Sequence, residues 1–160
     1  MTLATRDQIP LESTWDLKPI YPSIDEWRRD FALLEPRVTE MAAFAGTLGG
    51  SAQALERAIR FSLESERTLE KLYNFAHLIS DQDTANTEHL GLLESARNLF
   101  SRWSAASSFI TPEILSIPEE RLQHFLEDPC LADLKRTLSG IIRYKPHTLS
   151  KEEENLLAQG

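Results

Sequence analysis

Side chains able to bind a metal, carry a proton or attack a carbonyl are present in this sequence, but few stand at spacings that make chemistry. Its four histidines are His77, His89, His124 and His147. A zinc-peptidase helix of the His-Glu-x-x-His type needs two imidazoles one turn apart on one face, with the glutamate as base. None of the four is followed by Glu, so that motif is absent from these residues. His77, Asp81, Asp83 and His89 are the closest approach to a ligand cluster, and Asp81 and Asp83 begin like a calcium loop. Ala85 stands where such a loop needs a third oxygen, Asn86 where it needs glycine, and Leu92 where it needs a bidentate glutamate. The stretch Asp81–Thr87 therefore reads as a polar turn between helices, with Asp and Thr as caps. Glu64, Glu66 and Glu70 could form a carboxylate set, with Glu66 and Glu70 one turn apart. Acid–base work requires burial to shift one carboxyl, and the interleaved Arg67 and Lys71 mark a solvated face instead. Cys130 is the sole cysteine, which rules out an intrachain disulfide and a cysteine-rich metal site. It has no base nearby in sequence and reads as a buried, inert thiol. No Gly-x-Ser-x-Gly elbow occurs, and Gly49-Gly50 lacks the further glycines and lysine of a phosphate loop. Residue by residue, no catalytic, cofactor-binding or metal site is predicted within the chain.

Composition narrows the classes. The chain has 160 residues, 41% hydrophobic and 26% charged, enough for a real core in an ordinary globular protein. Seventeen Lys and Arg stand against 25 Asp and Glu, a net charge of −8. That balance argues against nucleic acid or an anionic membrane as partner, since both are bound by neutralising phosphates. No apolar run approaches a membrane span, and Met1 to Pro10 contain no apolar signal core, so a cytoplasmic location is expected.

The elements that would position any site are helices. Pro10, Pro19 and Pro22 predict an irregular arm over 1–22, anchored by Trp15, Leu17, Ile20 and Tyr21. Ser23 and Glu26 have capping-box spacing. Trp27, Phe31, Leu34, Val38 and Met41 then recur at steps of four and three, the stripe of a helix with one buried face. Pro36 is expected to kink that helix, which ends at Gly46, with Gly49-Gly50 making the turn. Ser51 caps a long helix to about Ser80, with Leu55, Ile59, Leu63, Leu69, Leu72, Tyr73, Ala76 and Ile79 on its apolar side. Another runs to about Phe109 with Leu92, Ala96, Leu99, Trp103, Ala106 and Ile110 inward. Core packing is likewise expected for the aromatics Trp27, Phe31, Phe100 and Trp103, which fall at helical spacing. Short connections make the long helices antiparallel neighbours. Thr111-Pro112 and Asp128-Pro129 each look like a cap followed by Pro at the first helical position, and Pro118 separates two shorter helices. The expected organisation is an all-α chain: an arm over 1–22, a long-helix bundle over 23–110 and shorter helices over 111–160. Near the end, Pro146 stops one helix, and Ser150 with Glu153 caps another that has only Leu156 and Leu157 to bury. A helix so short is marginal alone, so the chain is expected to continue into a longer protein.

Three segments carry a family resemblance. Trp15-Asp16-Leu17-Lys18-Pro19-Ile20-Tyr21-Pro22, Leu69-Glu70-Lys71-Leu72-Tyr73-Asn74-Phe75-Ala76 with the Asp81–Thr84 loop, and Arg143-Tyr144-Lys145-Pro146-His147-Thr148-Leu149-Ser150 resemble, in that order, the N-terminal region of the oligoendopeptidase F family of zinc metallopeptidases. Lys145 stands where the family often has Arg. The resemblance implies the N-terminal half of a clam-like, all-α cytoplasmic zinc enzyme that cleaves short peptides. It implies that this segment forms a wall of the substrate channel and that the zinc ligands and catalytic Glu lie beyond it. The 160 residues alone are then inactive and contain no zinc, and their exposed apolar faces are expected to self-associate. The competing expectation is a non-enzymatic helical interaction or scaffold module.

Overall fold

The structure, a computed structural model, describes residues 8–10 and 13–143. Seven α-helices form among them: α1 Ile24–Leu34, α2 Arg37–Ala42, α3 Ala52–Gln82, α4 Thr87–Ser107, α5 Ile110–Ser116, α6 Glu119–Glu127 and α7 Lys135–Ile142, with a 3-10 turn at Pro129–Leu131. No strand occurs among the described residues, so the all-α class holds. None of these helices is long and apolar enough to cross a membrane. The expected helix at Ser150, with Glu153, Leu156 and Leu157, lies outside the described residues, as does His147.

The chain makes two compact units. The first takes the residues up to Ala43 and Arg60–Ser107, hence α1, α2, most of α3 and α4. Ser23 caps α1 as its spacing predicts, its Oγ accepting the Glu26 amide at 3.3 Å. Pro36 breaks the following stripe instead of kinking it. Without an N–H for the carbonyl one turn back, Pro36 ends α1 at Leu34 and opens α2 at Arg37. The apolar stripe survives the break: Trp27, Leu34 and Met41 are all buried, while Phe31 and Val38 are half-buried. Trp27 also spends its polar end well, its indole N–H donating to the Leu72 carbonyl of α3 at 2.8 Å. α2 packs on α4, and Arg102 of α4 pairs with Glu35 at the break at 2.9 Å.

α3 and α4 run antiparallel. Phe61 stacks on Trp103 far from the turn, with centroids 6.4 Å apart, and Tyr73 meets Phe100 nearer to it at 5.9 Å. The turn works differently from its sequence reading. Asn86, not Asp or Thr, caps α4: its Oδ1 accepts the amides of Glu88 and His89 at 3.0 and 3.2 Å. The inner face of α3 also shifts from the expected register. Leu63 is 39% exposed, and Ser62 and Ser65 are buried in its place. Both serines are satisfied, Ser65 by donating to the Phe61 carbonyl at 2.7 Å and Ser62 by donating to Glu66 at 2.8 Å. Of the four aromatics expected inside, Phe100 is 43% exposed.

The second unit takes Phe44–Ile59 and the residues from Ser108 onward. Gly46 makes its first turn with φ 81°, and it is the sole described residue with positive φ. A Cβ there would meet nothing, so the demand for glycine is conformational, not steric. Gly49 and Gly50, the expected turn residues, need no such conformation. Ser51 Oγ accepts the Ala54 amide at 3.1 Å, the predicted cap of α3. Glu113 of α5 then fixes the turn: its two carboxylate oxygens accept the Gly46 and Leu48 amides at 2.8 and 2.7 Å. Thr111 is not the cap its sequence suggested. α5 opens two residues earlier than that reading, at Ile110 with Phe109 at the cap position, and Pro112 falls within the first turn, where no intrahelical donor is required. Asp128 does cap, accepting the Cys130 amide at 2.9 Å with Pro129 following, but the turn it opens is a short 3-10 element and α7 starts only at Lys135. Leu48, Leu55, Ile114, Leu122, Leu131 and Leu138 close this core.

Candidate functional site

The residues that could do chemistry do not converge. His77 Nδ1 lies 3.1 Å from Asp81 Oδ2, one turn apart on the last turns of α3, and both are substantially exposed. Asp83 accepts the Ala85 amide at 3.1 Å, which is ordinary turn chemistry. His89 sits on α4 with its amide bound to Asn86 and its Nδ1 buried without a partner. Among the described residues no three His, Cys, Asp or Glu side chains are placed to hold a metal ion. The donor set therefore does not fit zinc within the described part of the chain.

The carboxylates separate likewise. Glu64 pairs with Arg37, whose guanidinium lies 4.2 Å above the Phe61 ring. Glu66 is half-buried rather than solvated: besides Ser62, Trp103 Nε1 lies 3.5 Å from the same oxygen. Glu70 is exposed. His124 and Asp128 flank a depression of about 330 Å³ at the start of α3, in the second unit. Hydrogen bonds from Cys130, backbone first, and from Gln53 hold the Asp128 carboxyl below the usual range. Cys130 is half-buried beside it.

A further concavity lies in the first unit, where residues 14–24 pass over the end of α3. It measures about 470 Å³, within the range of ligand clefts. Gln82 closes one side by donating to the Trp15 carbonyl at 2.8 Å. The Ile20 and Tyr21 amides both return to the Leu17 carbonyl, at 3.0 and 3.1 Å. Tyr21 anchors the strap: it is buried, meets Phe75 edge-on at 5.3 Å, and donates its hydroxyl to Asp30 at 2.8 Å. Lys71 lies 4.0 Å above the Tyr21 ring and 3.9 Å from the same Asp30 carboxylate. Burial first, then the Asp30 bond and its negative charge, push the Tyr21 phenol well above its usual range. Burial and the Asp30 carboxylate thus favour the neutral phenol over the phenolate. The expected anchoring of the arm holds at Tyr21 and fails at Trp15, whose side chain is 64% exposed at the mouth of the cleft. Exposure of that kind leaves no trace in local sequence, because an aromatic residue reads as core wherever it falls.

Comparison with known proteins gives one consistent answer. Residues 113–159 match the family described as Oligopeptidase F. The chain is 36% identical over 158 residues to oligopeptidase PepF of Bacillus subtilis, covering 98% of this chain and 24% of that protein. It is 32% identical over 154 residues to the group B oligopeptidase PepB of Streptococcus agalactiae, covering 96% and 26%. Its fold superposes on a crystal structure from Chlamydophila abortus with a TM-score of 0.85 and 28% identity, over 99% of this chain and 27% of that one. The oligoendopeptidase-F of Enterococcus faecium gives 0.73 and 34% over 85% and 27%. The chain spans about a quarter of the length of these relatives. Over nearly its whole length the chain is similar to the N-terminal region of the oligoendopeptidase F family.

Proposed function

We propose that this chain is the N-terminal helical region of a cytoplasmic, zinc-dependent oligoendopeptidase that hydrolyses short peptides. The observation that carries this reading is similarity over almost the whole chain to proteins named as oligopeptidases, of which it spans only a quarter. The segment forms a wall of the substrate channel and contributes no catalytic residue and no zinc ligand. Zinc supplies the metal chemistry of the longer protein, from ligands outside these residues. The strap, the α3–α4 pair and the Glu113 clamp are then architecture: they hold helix faces in place against which peptide size is limited.

Metal analysis and a peptidase assay on the 160-residue chain and on the longest product of its gene test this directly. Zinc and chelator-sensitive cleavage of a short peptide are expected in the longer protein alone. A longer protein lacking both would refute the peptidase reading, and cleavage by the 160 residues alone would refute the architectural role.

A further inference from the structure

The cleft beneath the 14–24 strap has the volume of a ligand site, about 470 Å³, and it combines two kinds of surface. Its apolar lining comes from Leu17, Tyr21 and Ile24 of the strap and from Phe75 and Ile79 of α3, and Trp15 adds a side chain that is 64% exposed. Asp16 and Lys18 bring opposite charges to the same lining, and both are exposed. Asp16 Oδ1 accepts the Lys18 amide at 3.1 Å. Asp16 Oδ2 and the Lys18 ammonium enter no ion pair among the described residues. Other polar groups of the lining are engaged: Ser23 accepts the Glu26 amide, Tyr21 donates to Asp30, and Gln82 donates to the Trp15 carbonyl. Ligand clefts orient their guests with a few polar groups set in an apolar lining. Here those groups are one carboxylate and one ammonium. A guest with a single charge meets a like charge in the cleft, whereas a guest with one charge of each sign can pair with both. Asp16 and Lys18 are two residues apart, at most about 7 Å along the backbone, and a peptide of two residues carries its own opposite charges over a comparable reach.

We infer that the Trp15 cleft binds a zwitterionic dipeptide with apolar side chains. The peptide ammonium pairs with Asp16, its carboxylate with Lys18, and its side chains cover the indole and the apolar lining. The exposed ion pairs set orientation and contribute little affinity each, so the apolar contact carries most of the binding. The inference does not rest on the peptidase reading, because binding is read without turnover. If both hold, the cleft takes the class of molecule that a peptidase of short peptides releases.

Calorimetric titration of leucyl-phenylalanine supplies the test, into the 160-residue chain and into the longest product of its gene, with a metal chelator present. Saturable binding is expected in both. Asp16→Asn and Lys18→Gln should each weaken it up to about fivefold, the range of an exposed ion pair. Trp15→Ala should weaken it more than either, and so should blocking both peptide ends as the N-acetyl amide. All three side chains are exposed, so the variants should keep the parent's melting temperature. Trp27 and Trp103 are 2% and 3% exposed, so in the 160-residue chain a shift of tryptophan emission on titration reports Trp15. No saturable binding by either protein would overturn the inference. So would equal affinity of the parent and all three variants, which would put the peptide elsewhere, or equal affinity for the blocked peptide, which would remove the charge recognition. Binding by the 160-residue chain that is lost in the longer protein would also overturn it, since the cleft would then be covered by other parts of the polypeptide. A cleavage assay without chelator scores the peptidase reading separately: a longer protein that binds the dipeptide at this cleft but cleaves nothing keeps this inference and loses that one.

Discussion

Removing the Glu113 carboxylate should loosen the turn that enters α3. Its two oxygens hold the Gly46 and Leu48 amides at 2.8 and 2.7 Å, and it lies in the first turn of α5, where negative charge is favoured. The two bonds are not equal. The Gly46 bond is exposed, so water replaces the carboxylate there at little cost. The Leu48 bond is part-buried and Leu48 itself is fully buried, so its amide is left without a partner. A hydrogen bond to a charged group contributes about 1.5–3 kcal/mol, and nearer the low end where one member is wet. Glu113→Ala is therefore expected to cost about 2 kcal/mol. Glu113→Gln keeps one acceptor oxygen but turns an NH₂ toward the second amide, so it should recover about half, leaving a cost of about 1 kcal/mol. At roughly 2–4 °C per kcal/mol for a chain of this size, the alanine variant should melt about 4–8 °C lower. Urea titration of both variants, with hydrogen exchange at the Leu48 amide, measures this. An alanine variant within about 0.5 kcal/mol of the parent, the range of a neutral surface change, would refute the reasoning. So would an unchanged Leu48 exchange rate.

Two further outcomes follow from the first unit. Trp103 is 3% exposed and stacked on Phe61, so Trp103→Ala should cost about 3–5 kcal/mol in the same titration; an unchanged melting temperature would contradict the register of α4. The fold favours the neutral Tyr21 phenol, so Tyr21 adds stability below its unfolded pKa of about 10 and loses that contribution as pH rises above it. Stability measured between pH 9 and 11 should fall in the parent and fall less steeply in Tyr21→Phe; parallel slopes would rule out Tyr21 as the source.

The helices themselves were legible because their signals are local. Ser23 and Ser51 bond amides three residues on, and the stripe from Trp27 to Met41 repeats at one helical period. Pro36 was legible as a disturbance but not in degree. Whether a proline kinks or splits a helix depends on what holds the two pieces, here α2 against α4 and Arg102 on Glu35. Leu63 and Ser62 exchanged roles for a similar reason. An apolar residue wins a core position by default, unless a neighbour such as Glu66 gives a buried hydroxyl its partner.

The sequence by itself determined the all-α class, the starts of α1 and α3 and the family resemblance, since caps, periodicity and motif strings are encoded within a few residues of one another. Only the tertiary structure decided that Glu113 binds a turn 65 residues upstream, that burial and then Asp30 raise the Tyr21 phenol above its usual range, and that Trp15 faces solvent. Each of these depends on a partner, or the lack of one, that is distant in sequence. Burial and hydrogen-bond satisfaction are properties of surroundings, and the surroundings exist only once the helices have packed.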